Sequence, residues 1–164
     1  MLTIAQLKSQ FPRPGRVELI TIRPKRRELP VVHFEIEAIS QIGLMGDHYA
    51  SNGGKRQVTL IMQEHLRVVE SVLGIKEIDP LLTRRNIITS GINLIALKGL
   101  QFKMGEALLE CTGECHPCSR MEEHFGKGGY NAMRGHGGIT ARIIRGGLIK
   151  EHDQIIPIVD HSEE

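Results

Sequence analysis

Short runs of β-branched and apolar residues, each cut off by glycine within a few positions, restrict this chain more than any other property of its sequence. Val17-Glu18-Leu19-Ile20-Thr21-Ile22, Gln57-Val58-Thr59-Leu60-Ile61, Ile87-Ile88-Thr89 and the segments Gln101–Met104, Ala107–Thr112 and Ile139–Ile144 have the length and residue types of strands. No βαβ spacing repeats, and no internal period is present. Many short strands with few helices predict a mainly β fold, either a barrel or a sandwich.

In the second strand, Val32, Phe34, Ile36 and Ala38 alternate with His33, Glu35 and Glu37, which predicts one apolar face and one wet face. Pro24 and the basic run Lys25-Arg26-Arg27 precede it, and a charge block this short reads as a solvated loop. After Gln57–Ile61, Leu66, Val69 and Leu73 recur at helical spacing until Gly74, so a packing helix is expected there. Asp79-Pro80 is an N-cap with proline at the first helical position, opening a short turn to about Thr83. Gly146-Gly147 suits a hairpin into Leu148-Ile149. Pro157 interrupts the last strand, Ile155 to Val159, and predicts an edge position for it.

With 164 residues, 40% of them hydrophobic, the chain suits one globular domain over residues 1–164 with a real core. The start, Met1-Leu2-Thr3-Ile4-Ala5-Gln6-Leu7-Lys8, lacks the basic residues and long apolar run of a signal peptide, and no eighteen-residue apolar stretch follows. A cytoplasmic protein with no membrane partner is expected. A net charge of +2 without tryptophan is not the footprint of a nucleic-acid binder. The glycine segments contain neither a P-loop nor a properly framed dinucleotide fingerprint, which argues against ATP and NAD. No G-x-S-x-G turn and no H-E-x-x-H pair occurs.

The chemistry concentrates in Cys115-His116-Pro117-Cys118-Ser119-Arg120-Met121-Glu122. Ser119 and Glu122 form an S-x-x-E capping box, and the stretch to Phe125 stops at Gly126, so one or two helical turns are predicted with Cys118 just ahead of the cap. A helix N-terminus favours an anion and is one of the settings that lowers a cysteine pKa from ~8.5 into the ~3.5–7.5 range. Cys118 is therefore the candidate nucleophile or metal ligand. All three cysteines lie within eight residues, so no disulfide framework is implied. Three other readings compete: small residues at a turn, a thioredoxin-like dithiol, and a zinc site of Cys111, Cys115 and Cys118 with a histidine from His116, His124 or His136.

Other candidates are cationic. Arg84, Arg85 and Arg120 lie beside strand or helix ends and suit bidentate contact with phosphate, although surface salt-bridging is the simpler account. Gly43-Leu44-Met45-Gly46-Asp47-His48 and Asn52-Gly53-Gly54-Lys55-Arg56 put pliable backbone beside Asp47, His48 and Arg56, where main-chain N–H groups could meet an anion; turn-making is the plainer role.

Taken together, these segments resemble the MOSC domain family, named after the C-terminal domain of molybdenum-cofactor sulfurase. The resemblance rests on Gly43–Asp47 with Asn52-Gly53-Gly54, on Arg84–Leu94, on Gly105–Glu110 leading to His116-Pro117-Cys118-Ser119-Arg120, and on Gly137–Arg142 to Asp153. It covers about residues 15–153, with 1–14 and 154–164 as flanks. It implies a mostly antiparallel, β-barrel-like domain that stands alone, without the aminotransferase-like domain and pyridoxal-phosphate site of the sulfurases. It also implies that Cys118 either ligates molybdenum held by a pyranopterin cofactor (molybdopterin) or carries sulfur as a persulfide. Arg84 and Asn86 match the Arg-x-Asn step that lies near the pterin and its phosphate in cofactor-bearing relatives, and Arg85, Arg56 and Arg120 join them as candidate cofactor-binding residues. Relatives often carry histidine where this chain has Asn52. The leading expectation is reduction of small N-hydroxylated compounds with electrons from a separate redox partner. The alternatives are a sulfur carrier served by a sulfur-donor protein, and a zinc-stabilised module.

Overall fold

The computed structural model describes residues 1–49 and 52–159, so residues 160–164 of the C-terminal flank lie outside the described residues. Eleven strands and four short α-helices are present among them. The strands are β1 (Gly15–Ile22), β2 (Val31–His33), β3 (Glu35–Ile39), β4 (Gly43–Leu44), β5 (Val58–Met62), β6 (Ile87–Ser90), β7 (Gln101–Met104), β8 (Ala107–Glu114), β9 (Ile139–Arg145), β10 (Gly147–Lys150) and β11 (Gln154–Ile158). The helices are α1 (Ile4–Lys8), α2 (Gln63–Leu73), α3 (Ser119–Phe125) and α4 (Gly129–Met133). No helix among the described residues is long and apolar enough to cross a membrane.

Seven strands close into a barrel in the order β11-β7-β8-β9-β5-β6-β1, with β11 pairing back onto β1 and β2 extending outward from β1. Closure removes the exposed edges that short strands would otherwise present. The mainly β, barrel-like architecture is the expected one. A second, three-stranded sheet, β10-β3-β4, covers part of it. All pairings are antiparallel except β5 with β6. A parallel pair needs a crossover connection, and α2 with the 3-10 turn Pro80–Thr83 supplies it.

That crossover explains a sequence pattern. β5 is buried at all five positions, because one face lines the barrel and the other lies under helices. Leu60 and Ile87 belong to the barrel interior with Phe102, Leu109 and Ile143. Ile61 and Ile88 belong to a second core with Leu66 and Val69 of α2, Met121 of α3 and Met133 of α4. A strand buried on both faces reads as a continuous apolar run rather than as alternation. By contrast, β8 alternates over Ala107–Thr112, with only one side in the core.

Three local expectations are corrected. Gly146-Gly147 makes no hairpin, because β10 pairs with β3 in the second sheet and not with β9. The second strand is two strands, broken at a bend at Phe34. Ile36 and Ala38 are buried as predicted, but Val32 and Phe34 are 50% and 64% exposed, because β2 extends outward from β1 where no other described strand pairs with it. Pro157 does not mark an edge strand as such, since β11 closes the barrel. Its pairing with β1 ends at Ile155, so Pro157 faces a partner only on the β7 side and its missing N–H breaks no ladder with β1.

Candidate functional site

The site forms at the end of the barrel where β6 begins and β8 finishes. After Glu114 the chain leaves β8 but stays tied to the start of β9, with the Cys115 N–H donating to the Gly138 carbonyl at 2.8 Å. Gly138 has φ +88°, and a Cβ there would lie 1.8 Å from the Leu60 carbonyl oxygen. At Gly137 it would lie 2.1 Å from the Cys115 carbonyl oxygen. Only two residues without side chains let β5, β9 and the cysteine segment approach this closely.

Arg85 fastens the same segment from the other side. Its side chain donates to four main-chain carbonyls: Gly137 (2.8 Å), Thr83 (3.0 Å), Cys115 (3.4 Å) and His116 (3.4 Å). The residue is 6% exposed, and burial holds its pKa below the ordinary arginine value, with Arg56 and Arg23 pushing the same way and Cys115 and Cys118 opposing. Asn86 is fully buried and equally engaged. Its Oδ1 accepts from the Thr59 N–H (3.1 Å) and hydroxyl (3.2 Å), and its Nδ2 donates to the Thr21 carbonyl (3.2 Å) and to Asp47 Oδ1 (3.3 Å). Asp47 in turn takes the Arg23 N–H at 2.6 Å and the Arg23 guanidinium at 3.0 Å, with its own side chain fully buried. These groups form a saturated polar frame below the mouth, as buried polar groups must.

Above that frame lie groups with spare capacity. Arg84 adopts a left-handed conformation, φ 58°, and its guanidinium donates to the Glu28 carbonyl, the one acceptor of this side chain among the described residues. Burial lowers its pKa first, then repulsion from Arg120 and Arg23, while Cys118 and Asp47 oppose that shift. Arg84, Arg120, Arg23 and Cys118 therefore share one electrostatic neighbourhood. Arg56 reaches the Cys115 sulfur at 3.7 Å.

The three cysteines separate by environment. Cys111 and Cys115 are buried and Cys118 is exposed. Burial pushes the Cys111 thiol up, so it stays protonated and acts as core. No three histidine, cysteine, aspartate or glutamate side chains come together to hold a metal among the described residues, which removes the zinc set drawn from the sequence. Its members face different ways: Cys111 belongs to the barrel core, and His124 bonds the Leu82 carbonyl at 2.7 Å.

The expected capping box is also absent. Cys118 itself is the N-cap of α3, and Ser119 is the first helical residue. Glu122 turns forward instead, its carboxylate accepting from the N–H groups of Gly128 (2.7 Å) and Tyr130 (2.9 Å) and so bracing α3 against α4. Beside the cysteine segment, Glu114, His116, Tyr130 and Arg134 line a cavity of about 460 Å³.

Arg120 and Cys118 act electrostatically on Arg84, Arg56 lies against Cys115, and Arg85 and Asn86 are committed to the frame. Sequence reasoning missed the Arg23–Asp47 pair, whose partners are 24 positions apart. It also missed His65 and His136, whose rings meet edge to face with centroids 4.8 Å apart. Neither pair leaves a local spacing to read.

The sequence model of a family described as MOSC domain matches residues 46–156. No curated protein matches the sequence. Among solved structures, the YuaD protein from Bacillus subtilis superposes with a TM-score of 0.78 at 18% identity, covering 90% of this chain and 98% of that one. YiiM from Escherichia coli gives 0.67 at 20% identity, with 90% and 72% covered. YiiM from Geobacillus stearothermophilus gives 0.69 at 18% identity, with 89% and 76% covered. At these identities the likeness speaks to the fold.

Proposed function

This chain belongs to the MOSC domain family, and from that premise we propose that it binds a molybdenum cofactor at the barrel mouth, with Cys118 as the protein's ligand to the metal. The family is associated with molybdenum-cofactor binding in general. The observation that carries the reading is the single exposed cysteine set among arginines that repel one another. Cations held together in partial burial suit an anionic ligand, and perturbed groups of this kind gather at functional sites.

The donor set fits the group in part. A thiolate is a soft ligand suited to a metal already bonded to sulfur. Arg84 and Arg120 are the residues to neutralise a pterin phosphate, with Arg56 next to them on the Cys115 side. Arg85 and Asn86 would hold the floor in place rather than touch the cofactor, since carbonyls and Asp47 already occupy them. When bound, the group would supply a two-electron metal centre able to reduce an N–O bond. The cavity lined by Glu114, His116, Tyr130 and Arg134 would take the small N-hydroxylated substrate, and a separate redox protein would deliver electrons to the exposed mouth. Free thiols suit a cytoplasmic setting. Protein purified from a host that makes the cofactor is expected to carry near-stoichiometric molybdenum and pterin, both lost in Cys118→Ser. Their absence from the unmodified protein would falsify the proposal.

Exposure of Cys118 beside buried Cys115 also supports a second reading, a persulfide carrier, because an incoming sulfur donor can reach only one of the pair. Incubation with a cysteine desulfurase and cysteine would then add one sulfur to Cys118 by mass spectrometry; an unmodified thiol ends that reading.

A further inference from the structure

At the opposite end of β6 from the cysteine, the N-terminal segment roofs a cavity of about 590 Å³ that the proposed chemistry does not use. Ligand pockets typically run from about 300 to 1,000 Å³ and combine apolar walls with a few placed polar groups. Leu7 and Phe11 form one wall, and Ile92, Ile95 and Leu100 form the other. Phe11 and Ile95 also pack against the barrel core, which holds both walls in place. Leu7, by contrast, is 49% exposed, and α1 buries none of its residues, so apolar surface stands uncovered there.

The charge around this cavity has one sign. Lys8, Arg13 and Lys98 line it, and no aspartate or glutamate does. None of the three forms an ion pair among the described residues. Arg13 lies across Gly91, where a Cβ would stand 3.6 Å from its Nε and Nη2. Gly91 has φ +76°, and its N–H donates to Glu64 Oε2 at 3.0 Å, which engages a nearby carboxylate outside the cavity lining. The guanidinium is left to an incoming anion.

We propose that this cavity binds a free small molecule with an apolar body and one carboxylate, the body between Phe11 and Ile95 and the carboxylate at Arg13 and Lys98. Guanidinium and ammonium groups bond a carboxylate by charge-assisted hydrogen bonds, and their rim position lets the head keep some water while the tail leaves it. The site is separate from the cysteine mouth and stands whether or not a cofactor binds there.

Decanoate and decanol serve as probes on the full chain, since they share the tail and differ in the head. Below the micelle concentration, decanoate is expected to bind saturably by calorimetry and to raise the melting temperature, with decanol at least tenfold weaker. Arg13→Gln combined with Lys98→Gln should weaken decanoate about tenfold and leave decanol unchanged. Ala96→Trp, which fills the cavity from an exposed lining position, should abolish binding of both with an unchanged circular dichroism spectrum. Equal affinity for the two probes, no response to the double substitution, or no decanoate binding overturns the proposal. So does sedimentation of the protein with phosphatidylglycerol vesicles in the absence of decanoate binding, which would make this face a lipid-surface contact instead.

Discussion

The mouth of the barrel has two layers that both use arginine, in opposite states of satisfaction. In the lower layer, Arg85, Asn86, Asp47 and Arg23 bond one another or main-chain carbonyls. In the upper layer, Arg84 has one carbonyl partner and repelling neighbours, Arg120 is part-exposed, and Cys118 caps a helix with no side-chain bond. An arginine that spends its donors on carbonyls stabilises the fold; one that keeps them raises the local potential and waits for an anion. Adjacent residues in sequence, Arg84 and Arg85, fall on opposite sides of that division.

Stability should divide along the same line. Arg85→Ala leaves the carbonyls of Gly137, Thr83, Cys115 and His116 without their donor in a buried place, and a loss of about 4 kcal/mol is expected, within the range for removing one member of a buried charged network. Asp47→Ala should cost somewhat less, about 3 kcal/mol, because Arg23 is 13% exposed and can still reach water. Urea denaturation measures both. A loss under 1 kcal/mol in either would show that the lower layer is not a structural frame.

Upper-layer substitutions should leave folding nearly untouched. Arg120→Gln removes the largest repulsion on Arg84, so stability should hold or rise by up to about 0.5 kcal/mol. Binding of inorganic phosphate or of the cofactor should weaken at the same time. Cys118→Ser should change stability by no more than about 0.5 kcal/mol, as for other exposed substitutions, and abolish only metal or sulfur loading. A Cys118→Ser protein that melts like Arg85→Ala would erase the distinction between the layers.

Much of this was readable in the residues. The strand segments, the mainly β class and the place of Cys118 at a helix entry follow from local composition and spacing; the choice of barrel over sandwich comes from the family resemblance. The parallel β5–β6 pair does not, because a run buried on both faces looks the same whether its neighbour runs with it or against it. Nor does the fate of Arg85 and Asn86. Both types are usually exposed, and only distant partners turn them into a frame: Gly137 and the cysteine loop, about 50 and 30 residues away, for Arg85, and Thr21, Asp47 and Thr59 for Asn86. The S-x-x-E pattern misled for a related reason: Glu122 found two free N–H groups beyond the helix, at Gly128 and Tyr130, and bonded those in place of its own N-terminus.

That glutamate gives the smallest and most local prediction. Hydrogen bonds from the Tyr130 and Gly128 N–H groups hold the Glu122 pKa below the ordinary carboxylate value. A lowered folded-state pKa means that the contribution is fully present above the unfolded value, about 4.3, and is lost as pH falls through the lower folded value. Glu122 is solvent-exposed, so global stability should scarcely respond, and the readout is local. The Gly128 and Tyr130 amide resonances should move together with a midpoint below the unfolded carboxylate value in the unmodified protein, and should not titrate in Glu122→Gln. If they titrate alike in both proteins, or with a midpoint above 4.3, then Glu122 does not brace the Cys118 helix against α4. The upper layer would then be anchored by the carbonyl grip of Arg85, the Cys115–Gly138 bond and the burial of Met121, without the Glu122 brace.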